Sequence, residues 1–131
     1  MAKVKRKKSK PINISDSEWH VMEVLWDHGP MKMAAIIEVL MPQTNWSRTT
    51  IATLTSRLEN KGYIGTDRQE RAFTYIPLIS RKKARHGKLN DLIDQVFGGK
   101  ADEVVKLIID DGKIDDKTFQ KFQRRIKKKK K

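Results

Sequence analysis

The sequence predicts a mostly α-helical chain carrying one small β-hairpin. Apolar residues recur at helical spacing in six stretches, and after the third the period drops from 3.6 to 2 over roughly residues 63–78. Positive charge is also segregated along the chain rather than spread evenly. Of 131 residues, 29 are Lys or Arg and 16 are Asp or Glu, a net charge of +13. Residues 1–10 hold six cations and no acid, and residues 124–131 hold seven and none, so the two ends carry the whole excess. Between them, residues 44–90 hold ten bases against three acids, while 11–43 and 91–123 are net acidic. A cationic segment inside an otherwise balanced body is what a phosphate-facing surface requires.

The first helix is expected from Ser15. Ser15-Asp16-Ser17-Glu18 has the form of a capping box, and Trp19, Met22, Leu25 and Trp26 follow on one stripe before Gly29-Pro30. The tryptophans read as core anchors because they lie on the periodic face. Residues 31–41 read as a short, very apolar second helix that Pro42 closes, with Ala34 and Ala35 small enough for close packing.

The third helix organises the rest. Ile51, Leu54 and Leu58 give it a dry face, Ser47 stands where an N-cap belongs, and Gly62 stands where a left-handed turn should end it. The other face carries Arg48, Thr49, Ala52, Thr53, Ser56 and Arg57. Short hydroxyls, a methyl group and guanidinium forks suit a helix lying in a DNA major groove. The plainer alternative is an amphipathic surface helix rich in threonine. Two helices joined by a short turn, the second polar on one side, form a helix-turn-helix. Residues 63–68 and 72–78 then read as two strands around a turn at Gln69-Glu70-Arg71, with Pro77 at the end of an edge strand. A hairpin in that place is a wing, and Arg68 and Arg71 flank its tip within reach of a phosphate.

Ser80 caps a helix over roughly 81–97, basic at its start and apolar at Leu89, Leu92, Ile93, Val96 and Phe97. Gly98-Gly99 breaks it. Residues 101–110 hold Val104, Val105, Leu107, Ile108 and Ile109, and Asp115 heads a last helix with Phe119, Phe122 and Ile126. Three short amphipathic helices bury too little surface alone and call for a second copy. Leu92, Val96, Val105, Ile108, Phe119 and Phe122 are the expected dimer contacts. The fold class is therefore a winged helix-turn-helix followed by C-terminal dimerisation helices. Its parts are a disordered basic arm over 1–11, a winged-helix DNA-binding domain over 12–79, a helical dimerisation region over 80–126 and a basic tail over 127–131.

Several function classes lack support. There is no cysteine, so disulfides and thiolate metal sites are excluded. His20, His28 and His86 lack metal-ligand spacing, and no phosphate loop, nucleophile elbow or paired-carboxylate pattern occurs. No enzyme activity, metal or cofactor is expected. No apolar run approaches the ~18 residues of a membrane span, and the basic start leads into no signal-peptide core. A cytoplasmic, nucleoid-associated protein is expected.

Ser17-Glu18-Trp19 with Val21-Met22-Glu23-Val24-Leu25-Trp26, then Trp46-Ser47, Thr50-Ile51, Thr53-Leu54, Arg57-Leu58 and Lys61-Gly62-Tyr63-Ile64, resembles the penicillinase-repressor family of winged-helix transcriptional repressors, the BlaI/MecI/CopY type. The resemblance covers roughly residues 14–99. It implies a homodimer that binds an inverted-repeat operator in double-stranded DNA and is released by an inducing signal such as proteolysis of its C-terminal region. It also implies a membrane-bound sensor peptidase as a candidate partner. Ser47, Thr50, Thr53 and Arg57 fall on the family's DNA-facing helix, whereas Arg48, Thr49 and Ala52 stand where relatives vary. Copper-responsive members carry a cysteine-rich metal hook that this chain lacks. The bond cleaved in members controlling β-lactam resistance would fall at about Leu107-Ile108. A competing reading is an architectural, largely sequence-neutral DNA-binding protein whose lysine arms supply most of the affinity.

Overall fold

The structure is a computed structural model and describes residues 11–129. The arm over residues 1–10 and the final two lysines lie outside the described residues. The chain divides into two compact units, one ending at Lys88 and the other beginning at Leu89.

The first unit begins with α1 (Asp16–His28), whose start follows from local chemistry. The Ser15 hydroxyl accepts the Glu18 N–H at 3.1 Å, and the Glu18 carboxylate accepts the Ser15 N–H at 3.0 Å. Two N–H groups that the helix cannot satisfy are thereby paired. The helix buries Val21, Met22, Val24 and Leu25, with Trp19 and Trp26 half-buried beside them and stacked edge to face at 5.2 Å. The Trp26 indole N–H donates to the Ile79 carbonyl at 2.9 Å, so the ring also ties down the chain that leaves the wing.

Residues 31 and 32 depart from the expected helix. They form β1 (Met31–Lys32), and the second helix is α2 (Met33–Thr44). Pro42 does not close α2; it sits in its last turn. Proline removes a single N–H there, and the end is satisfied by other means: Thr44 Oγ1 donates to the Leu40 carbonyl at 2.8 Å, and the Asn45 N–H donates to Met41. Asn45 is left-handed (φ 62°), a conformation that asparagine tolerates, and it turns the chain toward α3 (Arg48–Lys61) within three residues. Ile36, Ile37 and Leu40 of α2 meet Ile51, Leu54 and Leu58 of α3 and the buried face of α1 in one core.

Strands β2 (Ile64–Asp67) and β3 (Thr74–Pro77) form the hairpin, and β1 adds a third strand in the order β1-β3-β2. β3 is therefore central, which corrects the expectation of an edge strand at Pro77. The proline is tolerated because β1 reaches only Tyr75 and Thr74, leaving Pro77 beyond that ladder. Helix α4 (Arg81–Val96) is capped by Ser80, whose hydroxyl accepts the Lys83 N–H. Its first turns complete this unit: Ala84 is buried, and Lys88 donates to the Ile14 carbonyl at 2.8 Å.

The second unit holds the rest of α4, then α5 (Ala101–Asp110) and α6 (Asp116–Lys129). Asp115 caps α6 by accepting the Thr118 N–H at 2.8 Å. The helix runs through Lys127, Lys128 and Lys129, which were expected in a separate disordered tail. Cations in a last turn complement the helix dipole, so the charge run prolongs the helix.

Candidate nucleic-acid interface

The outer face of α3 is set by its ends and its core. Ser47 accepts the Thr50 N–H at 3.1 Å and donates to the Thr50 hydroxyl at 3.1 Å, which fixes the first turn. Gly62 (φ 91°) ends the helix in the left-handed region, where its N–H reaches back to Glu59. Ile51, Leu54, Thr55 and Leu58 are buried, and the Thr55 hydroxyl is satisfied by the Ile51 carbonyl at 2.9 Å. At about 100° per residue, the direction opposite this dry stripe is held by Thr49, Thr53, Ser56 and Asn60. Arg48 and Arg57, nine positions apart, project from opposite flanks about 13 Å apart along the axis.

The predicted residues thus occupy three settings. Thr49, Thr53, Ser56, Arg48 and Arg57 are exposed, and among the described residues none of their side chains has a hydrogen-bond or ion-pair partner. Ala52 is half-buried on the Arg48 side. Ser47 and Thr50 are exposed but serve the cap, so their hydroxyls are already engaged. Asn60 belongs to the same outer row and was not singled out from the sequence; its spacing of four from Ser56 and seven from Thr53 is the signal that marks it.

The wing arginines differ from each other. Arg71 is exposed at the turn, without a carboxylate partner among the described residues. Arg68 donates to Glu59 Oε2 at 3.1 Å and lies over the Phe73 ring at 4.7 Å. Some of the remaining cations are answered internally. Lys61 pairs with Glu18, Lys32 with Glu70, and Arg81 with both Glu23 and Asp27. The Asp27 carboxyl is held below its usual range, chiefly by its hydrogen bond from Arg81. Lys82, Lys83 and Arg85 at the start of α4 stay exposed.

In the second unit, Leu92, Val96, Val105, Phe119 and Phe122 are exposed and Ile108 is half-buried. Asp102, Val105, Lys106, Ile109, Asp110 and Phe119 line an open cleft of about 410 Å³ between α5 and α6. Among the described residues no group of acids and histidines is arranged to hold a metal ion, and no helix is long and apolar enough to cross a membrane.

The Penicillinase repressor family model matches residues 14–128. The chain belongs to the penicillinase repressor family. It is 30% identical to the penicillinase repressor of Bacillus licheniformis over 70% of this chain and 72% of that one. It is 26% identical to the methicillin resistance regulatory protein MecI of Staphylococcus aureus, over 92% of this chain and 98% of MecI. Among solved structures, it resembles the monomeric form of Bacillus licheniformis BlaI in complex with the blaP half-operator. That match has 36% identity and a TM-score of 0.50, and covers 56% of this chain and 89% of the other. These relatives are named as regulators and repressors, not enzymes. As a penicillinase repressor family member, the chain presents the outer row of α3 on a scaffold shared with a protein that was solved on operator DNA.

Proposed function

We propose that this chain is a DNA-binding transcriptional repressor that reads an inverted-repeat operator as a homodimer in the cytoplasm, on the nucleoid. The observation that carries the reading is the outer row of α3. Thr49, Thr53, Ser56 and Arg57 have no partner within the described chain, on a helix whose other side is anchored in the core. Short side chains let such a helix enter a major groove, and their hydroxyls and guanidinium groups match base edges and phosphates. BlaI was solved on its half-operator, which supports the same use here. Ser47 and Thr50 set the helix start through the cap, and Arg48, Ala52 and Arg71 border the contact.

The dimer rests on the second unit. Its exposed Leu92, Val96, Val105, Phe119 and Phe122, with Ile108 between them in the sequence, would leave water on pairing with a second copy. Two reading helices on half-sites about 34–36 Å apart, or a multiple of that, would then match a two-fold operator. Release by cleavage near Leu107-Ile108 would cut a bond that lies inside α5. A peptidase needs extended backbone, so this short helix must open locally before cutting. A membrane-bound sensor peptidase is the partner this route calls for.

Nuclease footprinting on genomic DNA tests the reading. Discrete protected sites with two-fold symmetry are expected. Uniform coating at the same occupancy would favour the architectural alternative.

A further inference from the structure

The Glu59 carboxylate stands on α3, the proposed recognition helix, in the cationic segment of the folded body, where an unpaired acid would repel phosphate. It is not unpaired. Its Oε2 accepts a hydrogen bond from the Thr66 hydroxyl and a second from Arg68 at 3.1 Å. Thr66 lies in β2, so both donors come from the wing side and the acceptor from α3. The Arg68 guanidinium also lies over the Phe73 ring at 4.7 Å, just ahead of β3. Contact with a carboxylate and with an aromatic face restricts the orientation of the guanidinium, although the Arg68 side chain stays 59% exposed. Glu59 is only 28% exposed, so its charge is answered mainly by these neighbours.

We propose that Glu59 is a positioning residue that locks the wing onto the recognition helix through Thr66 and Arg68. Arg68 is then a strut rather than a phosphate contact, and Arg71 is the wing cation that meets DNA. The inference rests on the DNA-binding reading above and refines it. A neutral Glu59–Arg68 pair releases no counterions when DNA binds. An exposed Arg71 that neutralises one phosphate adds about 0.9 to the slope of log affinity against log salt.

The experiment measures affinity for a random-sequence duplex at several potassium chloride concentrations, using full-length wild type, Glu59→Gln, Arg68→Met, the double variant of these two, and Arg71→Met. Arg71→Met should flatten the slope by about 0.9. The double variant removes both charges of the pair at once, so it should leave the slope unchanged and weaken binding roughly two- to fivefold, the scale of an exposed ion pair. Arg68→Met alone should lose at least as much, because it also leaves Glu59 unpaired, and Glu59→Gln should cost nothing further in the Arg68→Met background. A slope that flattens in the double variant as it does in Arg71→Met overturns the strut, as does a Glu59→Gln change that weakens binding further in the Arg68→Met background. Urea unfolding of the same proteins without DNA should also show that Glu59 and Arg68 are coupled, and independent effects there overturn the proposal. A wild type that binds no duplex at low salt overturns the DNA-binding reading instead. The two failures are thereby distinguishable.

Discussion

The Lys61 ammonium, on the last residue of α3, stands 2.7 Å from Oε1 of Glu18, whose side chain is 2% exposed in the first turn of α1. The same ammonium donates to the Asn13 carbonyl at 2.9 Å. The end of α3 is thus pinned to the start of α1. Burial pushes the Glu18 carboxyl up, but the hydrogen bonds from Lys61 and the Ser15 N–H outweigh it, and the group titrates below its ordinary value.

A depressed carboxyl pKa means that the unfolded chain takes up its proton first as pH falls. The stabilisation is complete above the ordinary glutamate pKa and is lost as pH drops through the lower folded value. Lys61→Met should cost about 3 kcal/mol at neutral pH, because it leaves a buried charge without its cation. In that variant the Ser15 N–H still opposes burial but Lys61 does not, so the Glu18 pKa rises from its wild-type value and less stability is lost as pH falls. Urea unfolding from neutral to acid pH should show the gap between wild type and variant narrowing. A gap that stays constant would mean that Glu18 does not carry the effect.

Gly87 lies inside α4, where glycine ordinarily costs about 1 kcal/mol relative to alanine. Here a Cβ would fall 2.1 Å from Cγ1 of Ile12, so the glycine makes room for the segment that leads into α1. Gly87→Ala should therefore destabilise the fold by about 1–3 kcal/mol, as overpacking does. In an Ile12→Ala background the same change should instead stabilise, because only the helix preference remains. Thermal unfolding of the four proteins reads the sign in each background.

The apolar surface of the second unit predicts an assembly. Wild type should sediment as a dimer. Ile108→Asp should sediment as a monomer and bind an operator at least tenfold more weakly, since one half-site contact is lost with its partner. A monomeric wild type at concentrations that occupy the operator would remove the basis for two-fold recognition.

Features written in short-range chemistry were legible in the sequence. Ser15 with Glu18, Ser47 with Thr50 and Gly62 each act within about one turn, and the structure forms each cap where the residues stand. Features that depend on distant chain were not legible. Met31 and Lys32 look helical beside Met33 and the alanines, yet they pair with Tyr75 and Thr74 once the hairpin has folded. Pro42 reads as a stop, but a proline in the last turn forfeits one hydrogen bond and the Asn45 N–H still closes the end. Arg68 looked available at a loop tip because its acceptor, Glu59, meets it only when β2 folds back beside α3. On α3 itself, the helical period places Asn60 in the exposed row with Thr53 and Ser56.

The central claim is that the outer row of α3 reads bases, and the most direct measurement is the ratio of affinities for a footprinted operator and a random duplex, in wild type and in Thr53→Ala. Thr53 is exposed and outside the core, so the fold should be unaffected. Losing a base contact should cost about 1–3 kcal/mol on the operator and much less on random DNA, so the ratio should fall roughly five- to more than a hundredfold. An unchanged ratio, with both affinities falling together or neither falling, would contradict base reading by this face.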